Sequence, residues 1–203
     1  MSFKKINPQL KEVLAEKGIL EPSVFQKNMI SKIKSGQDVY GIAPDGEGKT
    51  TTLIIGVLQR LNYEAKGDNP RALIFVKDKE ACLKLEEEFK KYLRFSEMRI
   101  ALVYEERIIN HQKDEIYAGA DIVIATPKRL SKLYFLNGIN LTELQMILID
   151  DAEFLNSGSY HTDIDRITES VEKSQRIVFA KSKEKRIAQL DELFMNRATV
   201  VKG

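Results

Sequence analysis

The 203-residue, 23.2 kDa chain is 43% hydrophobic and 31% charged, the balance of an ordinary globular domain and not of a disordered or fibrous segment. No apolar run approaches the roughly 20 residues that cross a bilayer, and the opening Met1-Ser2-Phe3-Lys4-Lys5 lacks a signal-peptide apolar region, so no membrane role is expected. A lone cysteine, Cys82, excludes an internal disulfide and suits a reducing, cytoplasmic setting, while a net charge of +2 is too mild to point to nucleic acid by itself.

Asn7-Pro8 has the form of an N-cap followed by a first-turn proline, and Gly18 closes that helix. Ser23 opens a second helix that ends at Gly36. Val39 to Ala43 is the first predicted strand, and Thr51 to Leu61 the helix after it. The segment Glu64 to Pro70 reads as an exposed loop. Strands are then expected at Ala72–Val76, Ile100–Tyr104, Ile122–Ala125, Met146–Ile149, Ile177–Ala180 and Thr199–Val201. Amphipathic helices are expected between them at Asp78–Leu93, Arg107–Tyr117, Pro127–Phe135, Tyr160–Val171 and Lys183–Phe194. Regular alternation of apolar strands with helices implies an α/β fold, a mostly parallel central sheet with helices on both faces. Cys82 falls on an apolar helical face and reads as packing, and His111 and His161 lack metal-ligand spacing and read as surface helix residues.

Chemistry enters at Ala43-Pro44-Asp45-Gly46-Glu47-Gly48-Lys49-Thr50, between the first strand and the helix that includes Thr51. Strand, glycine-bearing loop, Lys-Thr and helix is the order a phosphate-binding loop needs. Backbone N–H groups at a helix start have no intrahelical partners and carry partial positive charge, so they suit a polyphosphate. Gly46 and Gly48 permit close approach of the main chain. Lys49 is expected to reach the β- and γ-phosphates, and the Thr50 hydroxyl to ligate Mg²⁺. Asp150, emerging from the apolar run Met146-Ile147-Leu148-Ile149, supplies a carboxylate at the carboxyl end of a neighbouring strand. Ligands of open parallel sheets bind there. It is read as the second metal ligand, the alternative being a cap on a helix starting near Ala152.

With these residues in hand the chain resembles the DEAD-box RNA helicases, specifically the first of their two RecA-like P-loop domains, over essentially its whole length. Ala43 to Thr50 matches the family's motif I, and Asp150-Asp151-Ala152-Glu153 stands in the place of D-E-A-D. Gly18, Pro22 and Gln26 resemble the Q motif, which implies that Gln26 reads adenine and that ATP is the nucleotide; a solvated helix residue is the alternative for Gln26. Phe3 resembles the upstream aromatic packed near the base. Thr126-Pro127-Lys128-Arg129 resembles the T-P-G-R element that grips the RNA backbone. The resemblance implies catalytic roles for Lys49, Asp150 and Asp151, with ATP and Mg²⁺ as cofactors.

Several positions depart from the family pattern. Asp151 replaces the water-orienting glutamate, one methylene shorter, and a displacement of about 1 Å can cost a hundredfold in rate. Ala180-Lys181-Ser182 stands for S-A-T, with Lys181 expected to salt-bridge Glu153 and so to couple ATP to RNA differently. Lys77-Asp78-Lys79-Glu80-Ala81-Cys82 stands for P-T-R-E-L-A, so Asp78 replaces a phosphate-facing threonine. Glu105-Glu106 replaces paired glycines, and Ile19 replaces a common aromatic. Carboxylates repel phosphates, while Lys77, Lys79, Lys128 and Arg129 offer compensating cations; each acid also suits a plain helix start. RNA is therefore expected as a weak or conditional partner.

The expected organisation is one RecA-like ATP-binding domain over 1–203, with Q-motif helices in 1–36 and the core in 37–203. The chain stops just after Val201, where the family's linker would begin, so a second RecA-like domain is expected in cis or from a partner protein. The competing functional reading is a helicase-derived nucleotide-binding or scaffold module with weak or no ATPase activity. A third is a P-loop ATPase acting on something other than RNA.

Overall fold

The computed structural model describes residues 6–158, 160–171 and 173–203. Two helices precede the sheet. α1 (Pro8–Glu16) is capped by Asn7, whose side chain accepts from the N–H groups of Gln9 and Leu10. α2 (Val24–Lys34) starts on a capping box: Ser23 Oγ accepts from Gln26 N at 3.2 Å, and Gln26 Oε1 accepts from Ser23 N at 3.0 Å.

Strand and helix then alternate: β1 (Val39–Ile42), α3 (Lys49–Arg60), β2 (Ala72–Phe75), α4 (Lys79–Lys90), β3 (Ile100–Val103), α5 (Ile109–Tyr117), β4 (Ile122–Ala125), α6 (Pro127–Phe135) and β5 (Met146–Ile149). A 3₁₀ segment, Ala152–Ser157, leads to α7 (Tyr160–Ser170) and β6 (Gln175–Ala180). The short helices α8 (Lys185–Ala188) and α9 (Leu190–Leu193) and the strand β7 (Thr199–Lys202) follow. The strands form one sheet in the order β3-β4-β2-β5-β6-β1-β7, with every neighbouring pair parallel.

Parallel strands covered on both faces must be apolar on both, which is why they read as continuous hydrophobic runs. The pleat sends Val39, Ile74, Ile124, Leu148 and Ile177 into one core layer, where they meet Leu14, Ile33, Leu53 and Phe89 from α1 to α4. Tyr40, Leu73, Phe75, Ile147 and Val178 enter the other layer, against Leu130, Leu133, Ile164 and Ile167 from α6 and α7. The expected parallel sheet with helices on both faces is therefore what forms.

Two expectations need correction. α3 starts at Lys49 and not at Thr51, because Gly48 turns left-handed (φ +79°) and Lys49 already has helical geometry. Lys183–Phe194 is two short helices, not one. Gln189, between them, keeps helical dihedrals (φ −61°, ψ −21°), so the chain holds its course while the hydrogen-bond ladder is interrupted.

All carboxyl ends of a parallel sheet lie along one edge. β1 delivers residues 43–50 to that edge and β5 delivers Asp150, two strands away across β6. The phosphate-loop candidate and the carboxylate candidate thus share an edge.

Candidate functional site

The loop between β1 and α3 is exposed from Pro44 to Glu47 and buried at its lysine, Lys49 being 6% exposed. Lys49 Nζ donates to the carbonyls of Ala43 (2.8 Å) and Pro44 (3.0 Å) and sits 3.4 Å from Asp45 Oδ1. Gly46 and Gly48 have φ of +91° and +79°, which an L side chain rarely adopts. A Cβ on Gly48 would also fall 2.5 Å from Gln26 Nε2. Gln26 therefore lies against the loop and is not a solvated helix residue; its Oε1 is engaged by Ser23. Thr50 and Thr51 occupy the first turn of α3. Phe3 lies outside the described residues.

Asp150 is 8% exposed and its Oδ1 is buried without a hydrogen-bond partner. Burial, and next the neighbouring Asp151 carboxylate, push its pKa from the ordinary 3.8 up to about 7, against the partial pull of Lys49 and Lys84. The capping alternative for Asp150 falls: the residue preceding the 3₁₀ segment is Asp151, which makes no side-chain cap. Asp151 itself adopts left-handed dihedrals (φ +45°, ψ +57°), rare outside glycine and least costly for Asp and Asn. That conformation follows directly on the buried strand and turns the chain at the sheet edge.

Lys181 does not salt-bridge Glu153 as expected. Its ammonium pairs with Asp45 Oδ2, in the phosphate loop, at 2.6 Å, while its backbone N–H donates to Glu153 Oε1. The reason is local: the end of β6 points the Lys181 main chain at Glu153 and leaves the long side chain free to reach the loop. The Asp45 carboxyl is consequently held below its usual range, first by Lys181 and also by Lys49. Ser182 Oγ donates to Glu184 Oε1 at 3.0 Å, a local contact.

A cavity of about 400 Å³ opens between these elements, lined among others by Thr50, Asp150, Asp151, Glu153 and Lys181. Lys77, Ala81, Lys84 and Glu88 of the β2–α4 segment line its far wall, and sequence reasoning had not placed Lys84 or Glu88 there. Their signal was the 81, 84, 88 spacing along one helix face. A divalent cation fits this donor set: the unpartnered buried Oδ1 of Asp150 and the Thr50 hydroxyl line one cavity, and Mg²⁺ takes few protein oxygens beside those of phosphates.

Residues matched to the backbone-gripping elements lie at the same edge, toward β2, β4 and β3. Thr126, 3% exposed, caps α6 by position only and donates its hydroxyl to Glu105 Oε2 at 2.6 Å. Pro127 follows at the first helical position and Lys128 is exposed. Arg129 Nη2 donates to the carbonyls of Glu105 and of Arg107, the latter at 3.1 Å. Asp78 is an ordinary N-cap, accepting from Ala81 N at 3.0 Å. Lys77 sits 3.7 Å from that same carboxylate, and Lys79 lies 6.0 Å from the Tyr104 ring centre. Burial, with Glu105, Asp78 and Glu106 nearby, pushes the Cys82 thiol up to about 12, so this cysteine is an inert core group. His161 Nε2 lies 2.9 Å from the Arg186 carbonyl, and no cluster of three metal-ligating side chains occurs among the described residues.

The chain is similar to known proteins in sequence and in fold. It is 28% identical over 175 residues to DEAD-box ATP-dependent RNA helicase 53 of Oryza sativa subsp. japonica, an alignment spanning 84% of this chain and 29% of that protein. It is 25% identical over 201 residues to the mitochondrial DEAD-box ATP-dependent RNA helicase 9 of Arabidopsis thaliana, spanning 97% of this chain and 33% of that one. The chain thus spans about a third or less of these relatives' lengths. Among solved structures it superposes on a DEAD box protein from Methanococcus jannaschii with a TM-score of 0.90 at 19% identity, over all of this chain and 56% of the other, a likeness of fold. The DEAD/DEAH box helicase family model matches residues 23–185, from the capping box of α2 to the start of α8. With most of its length inside that match and the buried β5 carboxylate beside a Lys-Thr loop, the chain belongs to the DEAD/DEAH box helicase family.

Proposed function

We propose that the chain is the ATP-binding RecA-like domain of an RNA helicase, coupling ATP binding and hydrolysis to RNA remodelling together with a second RecA-like domain. One observation carries this reading: Thr50, at the start of α3, and the buried, under-bonded Asp150, at the end of β5, line one cavity beside the Lys49 loop.

Residues 43–51 cradle the triphosphate, with helix-start N–H groups and the Lys49 ammonium offsetting its charge. Lys49 exchanges its loop carbonyls for phosphate oxygens. Gln26 supports the loop beneath Gly48 and recognises the base. Thr50 and Asp150 would hold Mg²⁺, which would supply charge neutralisation at the phosphate oxygens. Asp151 orients the attacking water from its left-handed position. Lys181 and Glu153, tied to Asp45 and to each other, link the loop to the β6 end, with Ser182 beside them. RNA contact falls to Thr126, Pro127, Lys128, Arg129, Lys77 and Lys79, and it is weak because Glu105 engages the Thr126 hydroxyl and Asp78 adds charge of the wrong sign. The rice and Arabidopsis relatives, named as ATP-dependent RNA helicases, support the assignment.

Titration of ATP against the wild type and Lys49→Ala tests it. A loss of at least about tenfold in affinity, the effect of removing one charge-assisted contact worth about 1.5–3 kcal/mol, is expected. Equal affinity in both ends the proposal.

A further inference from the structure

The nucleotide candidate uses the carboxyl edge of the sheet, and the opposite edge gathers cations with few acids among them. At the amino ends of β6, β1 and β7 a cavity of about 540 Å³ is lined by Lys32, Arg60, Lys173, Arg176 and Arg197. Asp38 is the one carboxylate among its described lining residues, so five cations face one anion. Asp38 is already engaged: its Oδ1 accepts from Arg176 N at 2.7 Å, and its Oδ2 lies 3.9 Å from Arg176 Nη1.

Helix dipoles account for part of this set. Lys32 and Arg60 sit in the last turns of α2 and α3, where a cation is favoured without any ligand. That leaves Lys173, Arg176 and Arg197, which come from loops and strand starts. Among the described residues no carboxylate within ion-pair distance serves Arg60, Lys173 or Arg197. Arg176, whose side chain is 18% exposed, keeps a buried Nε without a hydrogen-bond partner. Like charges gathered around one basin repel one another, and an anion bound there relieves that repulsion.

The lining selects the kind of anion. It contains no Leu, Ile, Val, Phe or Tyr, so it has neither an anchor pocket for an apolar peptide residue nor a ring on which a base could stack. Three guanidinium forks match phosphate oxygens in pairs. We propose that this basin is a second, sequence-independent contact for the phosphodiester backbone of RNA, on the edge away from the nucleotide. It rests on the reading of the chain as one that acts on RNA, and it adds cationic grip to that of Lys77, Lys79, Lys128 and Arg129 on the acid-bearing carboxyl edge.

The test is binding of a fluorescently labelled RNA across a salt series by wild type, by a charge-reversed triple variant (R60E, K173E, R197E) and by its neutral counterpart (R60Q, K173Q, R197Q). All three side chains are exposed, so the core is untouched. ATP affinity is measured in parallel as the check on folding. The charge-reversed variant should lose at least tenfold in RNA affinity at low salt. The neutral variant should lower the slope of log affinity against log salt by about 2, at about 0.7 per phosphate contact. ATP affinity should stay at the wild-type value. RNA affinity and slope equal to wild type in both variants would overturn the proposal, as would a wild type that binds no RNA at any salt. Two competitors complete the assay: if inorganic tripolyphosphate or a polyglutamate peptide binds the basin while RNA binding ignores the substitutions, the RNA assignment is overturned. Failure of the nucleotide reading looks different, since Lys49→Ala would then leave ATP affinity unchanged whatever the basin variants do.

Discussion

Asp150→Asn should make the protein more stable while removing the proposed Mg²⁺ ligand. The carboxylate is 8% exposed, and its pKa of about 7 lies above the ordinary 3.8 because burial penalises the charged form and Asp151 repels it. A carboxyl with a raised folded pKa favours the native state while it is protonated there. The stabilisation is full below about pH 4, falls as the unfolded chain ionises, and is gone once pH passes about 7. A gap of about three pKa units corresponds to at most ~4 kcal/mol between those limits, at 1.36 kcal/mol per unit. The Asn amide is neutral at every pH, but in that site it still has a polar atom without a partner, so a net gain of about 2 kcal/mol at pH 8 is expected. For a domain of this size that is a rise of roughly 4–8 °C in Tm. Denaturant unfolding of wild type and variant at pH 5 and pH 8 measures it. The variant should show a markedly flatter pH dependence, with its advantage confined to the higher pH. Parallel pH profiles for the two proteins would refute the claim that Asp150 carries an uncompensated buried charge.

Two further outcomes follow from particular contacts. Asp151→Glu lengthens the carboxylate proposed to orient the attacking water, so RNA-stimulated ATP turnover in a two-domain protein should rise. Stability should fall by about 0.5–1 kcal/mol, because the left-handed backbone tolerates Glu less well than Asp. Unchanged or lower turnover means the assigned role is wrong. Asp121→Ala should destabilise by about 3–5 kcal/mol in denaturant unfolding without changing ATP affinity, since the buried carboxylate accepts from Arg71 Nη2 at 2.7 Å and from the N–H groups of Lys66 and Arg99 at 2.9 Å each. A cost under 1 kcal/mol would show that Arg71 finds another partner.

Much of this was legible in the sequence because the physics is local. A strand buried on both faces must be apolar throughout, and β2, β4 and β5 are. A phosphate loop must combine glycines with Lys-Thr at a helix start. The start of β6 was illegible for the converse reason: Gln175 and Arg176 look like loop residues, yet Gln175 Nε2 bonds the Gln37 carbonyl and Arg176 N bonds Asp38. Both contacts join positions 138 residues apart, and no periodicity encodes them. The Lys181–Asp45 pair, 136 residues apart, escaped in the same way. Glu153 was the expected partner because its segment and Lys181 stand in the places of two family elements that the resemblance couples, but it takes the Lys181 backbone instead. Gln26 shows a mixed outcome: its spacing marked it out, whereas its capping-box role and its contact beneath Gly48 needed the fold.

Lys49, Thr50 and Asp150 are proposed to serve one bound nucleotide, and ATP affinity with and without Mg²⁺ tests that most directly. Wild type should bind ATP at least tenfold more tightly when Mg²⁺ is present, and Asp150→Asn should lose most of that gain while keeping its Mg²⁺-free affinity. An Asp150→Asn protein whose Mg²⁺ enhancement matches the wild type would contradict it.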